Sequence, residues 1–94
     1  MNIKRKQFSK GTKDILWNEL PLCDCEAEDC TPNNHRICSA KKCSKTILKG
    51  AHFSVQPNSY HAWDIDHIKA LKNGGTNHIS NLRIICVECN RKKN

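Results

Sequence analysis

Seven cysteines in 94 residues constrain this chain more than any hydrophobic pattern in it. A domain this short buries a modest core and commonly needs a metal or disulfides to hold it. Only 37% of the residues are hydrophobic, and two tryptophans, one tyrosine and two phenylalanines supply the aromatic mass, so an unaided apolar core would be thin. Such cysteine density means disulfides in a secreted miniprotein and zinc in a reduced compartment. The basic N-terminus, Met1 to Gln7, is followed by no apolar stretch of signal-peptide length, and no run is long enough to cross a bilayer. The expectation is an intracellular, reduced protein without a membrane partner, stapled by metal.

Four of the cysteines have zinc-site spacing. Cys86-Val87-Glu88-Cys89 lets both thiolates of a tight turn reach one tetrahedral zinc, and Cys38 and Cys43, separated by Ser39-Ala40-Lys41-Lys42, fall within the same range of ligand spacings. The intervening lysines would offset thiolate charge. A structural zinc on Cys38, Cys43, Cys86 and Cys89 is therefore expected. A thioredoxin-like redox pair competes with it, but no βαβ pattern supports that alternative. Cys23, Cys25 and Cys30, with His35, add up to four possible ligands for a second zinc. Free thiols in a polar loop are the simpler expectation there, and exchange of Cys30 into the main site is a third option.

Residues 1 to 11 are basic and aperiodic and are expected to form a flexible arm, leaving 12 to 94 as one domain. Thr12 offers an N-cap, Asp14 an acidic first turn, and Ile15, Leu16 and Leu20 an apolar face for a short helix that Pro21 ends. Trp17 is expected in the core rather than on a base. Residues 21 to 37 have loop composition, with Asp24, Glu26, Glu28 and Asp29 clustered among Pro and Asn. One or two short strands are expected around Gly50, a strand from Tyr60 to Ile68, a turn at Asn73-Gly74-Gly75-Thr76, a strand over 81 to 86 and a helix of about two turns after it.

Sixteen lysines and arginines against nine acids give a formal charge of +7, which favours polyanionic partners because each neutralised phosphate releases counterions. Charge alone does not separate a nuclease from an RNA-binding module or a solvated basic surface. The motifs do more. Trp63-Asp64-Ile65-Asp66-His67-Ile68 is followed by Gly74-Gly75-Thr76-Asn77, by Asn81-Leu82-Arg83 and by Cys86-Val87-Glu88-Cys89-Asn90-Arg91. Each piece is weak alone, but the four in this order resemble the HNH endonucleases over residues 38 to 94.

That resemblance implies a small α+β fold, a zinc-stapled ββα-metal (HNH or His-Me) finger preceded by a short helix. It implies DNA cleavage to 5′-phosphate and 3′-hydroxyl ends, with His67 as general base, Asp66 and Asn90 as ligands of a catalytic divalent metal, and Asn81 as the middle asparagine. One carboxylate and one amide oxygen make a hard site suited to magnesium or manganese. Phosphodiester hydrolysis needs a nucleophile at neutral pH and something to absorb charge on the phosphate. A neutral imidazole, ordinarily titrating at about 6.5, can take the proton from water. Asn81 is expected to brace the loop through backbone hydrogen bonds without touching substrate. Arg83, Lys69, Arg91 and Lys92 are candidates for phosphate contact. His52, His61 and His78 lack such company and are expected on the surface or in packing. A monomer would nick and a homodimer could break both strands. The alternative from another class is a non-catalytic zinc-ribbon nucleic-acid-binding module on the same scaffold.

Overall fold

The computed structural model describes residues 8–93. Helix α1 spans Lys10–Asn18; strands β1 and β2 are His35–Ile37 and Thr46–Leu48; β3 and β4 are Trp63–His67 and Leu82–Cys86; helix α2 is Val87–Lys93. Two antiparallel hairpins form two separate sheets, β1 with β2 and β3 with β4. This is the small α+β arrangement expected from the motifs, and β3, β4 and α2 make its ββα unit.

Helix α1 starts earlier than Thr12. Ser9 is the N-cap, its hydroxyl accepting from the Thr12 amide at 3.1 Å, so Lys10 and Gly11 of the expected arm are helical. Residues 1–7 lie outside the described residues. Glu19 closes the helix by donating to Leu16 O, and Pro21 prevents its continuation. The buried face is Leu16, Trp17 and Leu20, whereas Ile15 is exposed. Trp17 is a core residue: its ring lies 5.7 Å from that of Trp63, and its indole N–H donates to Pro32 O at 2.8 Å. A buried indole needs such a partner, and the loop after α1 supplies it.

That loop is more ordered than its composition suggests. Its last residues form β1, where His35 and Arg36 are buried, and Leu22 forms a bridge to Arg36. Arg36 is tolerated there because Nε donates to Pro32 O at 2.8 Å and Nη1 to Leu20 O at 2.9 Å, satisfying the buried charge with backbone oxygens. Around Gly50 only β2 forms.

The β3–β4 hairpin carries the site. Its register pairs Trp63 with Cys86, Ile65 with Ile84 and Asp66 with Arg83. Because strand side chains alternate, Trp63 and Ile65 enter the core while Asp64 and Asp66 occupy the opposite face. Both faces are covered, since Asp64 and Asp66 are also buried. The expected strand is trimmed at its start, where Tyr60 and His61 turn and Ala62 N bonds to Ser59 O. In the loop joining β3 to β4, Gly74 is left-handed at φ 89°, a conformation glycine adopts without steric penalty. Gly75 is needed for close approach: a Cβ there would lie 1.9 Å from the Lys69 carbonyl oxygen.

Candidate active site and metal centre

The ends of three elements converge on one cleft. Asp66 and His67 end β3, Asn90 and Lys93 lie on α2, and Ala70, Leu71 and Lys72 form the rim of a cleft of about 410 Å³. The three residues expected at the reacting phosphate and its metal thus line one cleft.

Asp66 is 6% exposed. Arg83 Nε, directly across the hairpin, is 3.0 Å from its Oδ2, and Lys93 Nζ is 3.1 Å from Oδ1 and 2.9 Å from Oδ2. The same ammonium donates to the His67 carbonyl oxygen at 2.6 Å. Three oxygens therefore already hold a cation beside Asn90. This oxygen-rich set suits a hard divalent ion, which would have to displace the Lys93 ammonium.

The His67 ring is oriented by a residue sequence reasoning did not single out. Its Nε2 lies 2.7 Å from Asn77 Oδ1. An amide oxygen only accepts, so the contact places a hydrogen on Nε2, and in the neutral imidazole the lone pair is then on Nδ1. Among the described residues Nδ1 has no hydrogen-bond partner. The only signal for Asn77 in the sequence was its place at the end of Gly-Gly-Thr-Asn.

Asn81 binds the loop between β3 and β4 rather than the cleft. Its Oδ1 accepts from Lys69 N at 2.8 Å, and its Nδ2 donates to Lys69 O at 3.0 Å and Thr76 O at 2.7 Å. The amide thus ties both ends of the loop around Gly74 and Gly75 to the start of β4, next to the backbone bond from Ile68 N to Asn81 O.

Cys38, Cys43, Cys86 and Cys89 offer four sulfurs that all lie within 4.8 Å of one another. Sulfurs on a tetrahedral zinc, with bonds of about 2.3 Å, sit about 3.8 Å apart; Cys38 and Cys89 are 3.9 Å apart. Backbone amides point at the sulfurs: Cys86 N and Ala40 N lie 3.2 and 3.4 Å from Cys38 Sγ, and Cys89 N lies 3.4 Å from Cys86 Sγ. The turn between Cys38 and Cys43 is tight enough to place Lys42 at φ 65°. Burial pushes the Cys38 thiol up to about 11. Burial, with the neighbouring Cys86 and Cys43 thiols, also raises Cys89. Crowded thiols resist joint ionisation until a cation enters. This cluster fits a structural zinc. Lys45 and Glu88 pair at 3.1 Å across its edge. A second group, Cys23, Cys25, Cys30 and His35, converges equally closely and could also hold a metal.

The expected phosphate contacts are dispersed. Arg83 faces Asp66; Lys92 pairs with Glu88 at 3.3 Å; Arg91 lines a separate groove with Lys45 and Tyr60; the Lys69 side chain lies against Gly74. Lys72 and Lys93, by contrast, line the cleft itself. His52 and His78 bond to Ser54 and Ser80 two residues on, and His61 is fixed to Thr46 O at 2.9 Å.

A β-hairpin whose connecting loop is tied back by asparagine, followed by a helix carrying the last of four clustered cysteines that could hold zinc, defines a ββα finger. The pattern of the HNH endonuclease family matches residues 38–94, and the chain belongs to that family. No curated protein and no solved structure matches the chain. Among the described residues no helix is long and apolar enough to cross a membrane.

Proposed function

We propose that this protein is a metal-dependent DNA endonuclease. The observation that carries the proposal is the shared cleft of Asp66, His67 and Asn90, on a chain of a nuclease family. Asp66 and Asn90 would hold magnesium or manganese. Such an ion, when bound, neutralises charge developing on the phosphate and on the leaving oxygen. His67, with its hydrogen kept on Nε2 by Asn77, removes a proton from water through Nδ1. Asn81 keeps the loop behind His67 in register, and Lys72 and Lys93 place positive charge where a phosphodiester backbone would lie. One finger attacks one strand, so a monomer produces nicks and a dimer is needed for paired breaks.

The test is a supercoiled-plasmid assay with magnesium, manganese or chelator. Metal-dependent conversion to relaxed circles is expected, with loss of cleavage in a His67→Ala protein that keeps its zinc and its circular dichroism. A His67→Ala protein that cut at the wild-type rate would overturn the mechanism. A second reading, a nucleic-acid-binding module without catalysis, draws on the pairing of both Asp66 oxygens with Arg83 and Lys93. It predicts DNA binding with no cleavage at any magnesium concentration.

A further inference from the structure

We propose that Cys23, Cys25, Cys30 and His35 form a second structural zinc site, with His35 bound through Nδ1. These residues lie outside the matched segment 38–94, and loop composition alone favoured free thiols. The fold gives them a different setting. Their four donor atoms lie within 4.8 Å of one another, three from the loop after α1 and one from the first residue of β1. The seven cysteines thus divide into two complete sets, and Cys30 belongs with Cys23 and Cys25 rather than with the main cluster.

Geometry around the imidazole supports the assignment. Cys25 Sγ and His35 Nδ1 are 3.4 Å apart, close to the roughly 3.5 Å that separates a sulfur from a nitrogen on one tetrahedral zinc. His35 is 6% exposed, and its Nε2 is buried without a hydrogen bond among the described residues. That atom lies 3.4 Å from the Asp29 carboxylate, near enough for charge attraction though not aligned for a hydrogen bond. A carboxylate behind an imidazole is the usual outer partner of a metal-bound histidine: it keeps the hydrogen on the far nitrogen and leaves the near one to the metal. With all four positions filled by protein, the site is closed and structural.

The site would fasten α1 to the finger. Cys23 Sγ lies 3.4 Å from Thr46 Oγ1 on β2, and Arg36, next to His35, binds Leu20 O and Pro32 O at the two sides of the loop. Pro32 O also receives the Trp17 indole. The loop thus connects the metal ligands to the tryptophan that packs on Trp63.

Metal content decides the matter without reference to cleavage. The purified full chain should carry two zinc ions per molecule by elemental analysis, and zinc absorption-edge spectroscopy should show a mixed sulfur and nitrogen shell. Cys25→Ser should release one of the two at least tenfold faster to a colorimetric chelator, whereas His35→Cys should retain both and convert the shell to sulfur alone. One zinc per wild-type chain would overturn the proposal. So would two zinc ions with release unchanged in Cys25→Ser, or a sulfur-only shell in the wild type. Cys86→Ser tests the other cluster separately, and its outcome leaves this assignment standing or falling by itself.

Discussion

His67 Nε2 and Asn77 Oδ1 are joined by a 2.7 Å hydrogen bond, and this contact selects which nitrogen of the candidate base is available. Losing it frees the ring to rotate and to carry its hydrogen on either nitrogen. One hydrogen bond of about 1 kcal/mol corresponds to a roughly five- to tenfold change in rate. Asn77→Ala should therefore cut more slowly by about that factor, with zinc content unchanged. Asn77→Asp places a negative charge against the imidazole and favours its protonated, inactive form, so the acidic limb of the pH–rate profile should move to higher pH. An unmoved profile would show that Asn77 does not orient the base.

Asn81 makes three hydrogen bonds to the main chain, to Lys69 N, Lys69 O and Thr76 O. At about 1 kcal/mol each, partly replaced by water, Asn81→Ala should lose roughly 2–3 kcal/mol in denaturant unfolding. Asn81→Asp keeps the acceptor but replaces the amide nitrogen, which makes both donor bonds, by one carboxylate oxygen facing two carbonyls. It should be at least as unstable as the alanine variant, and Asn81→Asp unfolding at the wild-type midpoint would contradict the loop-bracing role.

Gly75, in the loop between β3 and β4, and Gly50, just after β2, form a matched pair for testing the packing of the β3–β4 loop. A methyl at Gly75 meets backbone atoms, Lys69 O at 1.9 Å and Ala70 O at 2.8 Å, which cannot rotate away; one at Gly50 meets nothing within 4 Å. Gly75→Ala should lower the melting temperature and cleavage together. Gly50→Ala should be neutral or stabilising by up to about 1 kcal/mol, because alanine restricts the unfolded chain. Equal effects from the two substitutions would refute the packing of this turn.

What was legible in the sequence follows from distance along the chain. The Cys-x-x-Cys pair, the Asp66-His67 step and the alternation of β3 are local patterns, and the α+β fold they implied is the one observed. The Ser9 cap was hidden because Thr12 three residues on offers the same chemistry. Strand β1 was hidden because its residues, His35-Arg36-Ile37, look polar until Arg36 finds Leu20 O and Pro32 O. The cations on Asp66 were hidden too: Arg83 reaches it by hairpin register and Lys93 by the packing of α2, and neither pairing is a property of a short segment.

Under the proposed function, Lys93 competes with the divalent ion for the cleft. Its ammonium binds both Asp66 oxygens and the His67 carbonyl, so an incoming ion must displace a charge already neutralising the carboxylate. Lys93→Gln leaves Asp66 paired with Arg83 and raises the negative potential at the site. Half-saturating magnesium for cleavage should fall several-fold, while DNA affinity at saturating metal weakens and loses part of its salt dependence. If half-saturation rose instead, Lys93 would be assisting metal binding rather than competing with it.

Chelation tests how the cysteine cluster is coupled to the candidate active-site cleft. Cys86 ends β4, Cys89 lies on α2, and Asn90 follows it directly, so the segment carrying the candidate ligand is anchored at both cysteines. Thiolate coordination is lost when zinc is removed or when acid protonates the sulfurs. The Lys45–Glu88 pair at the cluster's edge weakens in the same direction. The lysine holds the Glu88 carboxyl below its usual value, so the pair's contribution is present above the ordinary carboxylate range and lost as pH falls through the lowered value. Zinc release, loss of near-ultraviolet circular dichroism and loss of cleavage should therefore coincide in a chelator titration and again on acidification. Magnesium alone should not restore activity to the zinc-free chain, since Asn90 would no longer be held beside Asp66. Full cleavage by a zinc-free protein in magnesium would show that the two sites are independent.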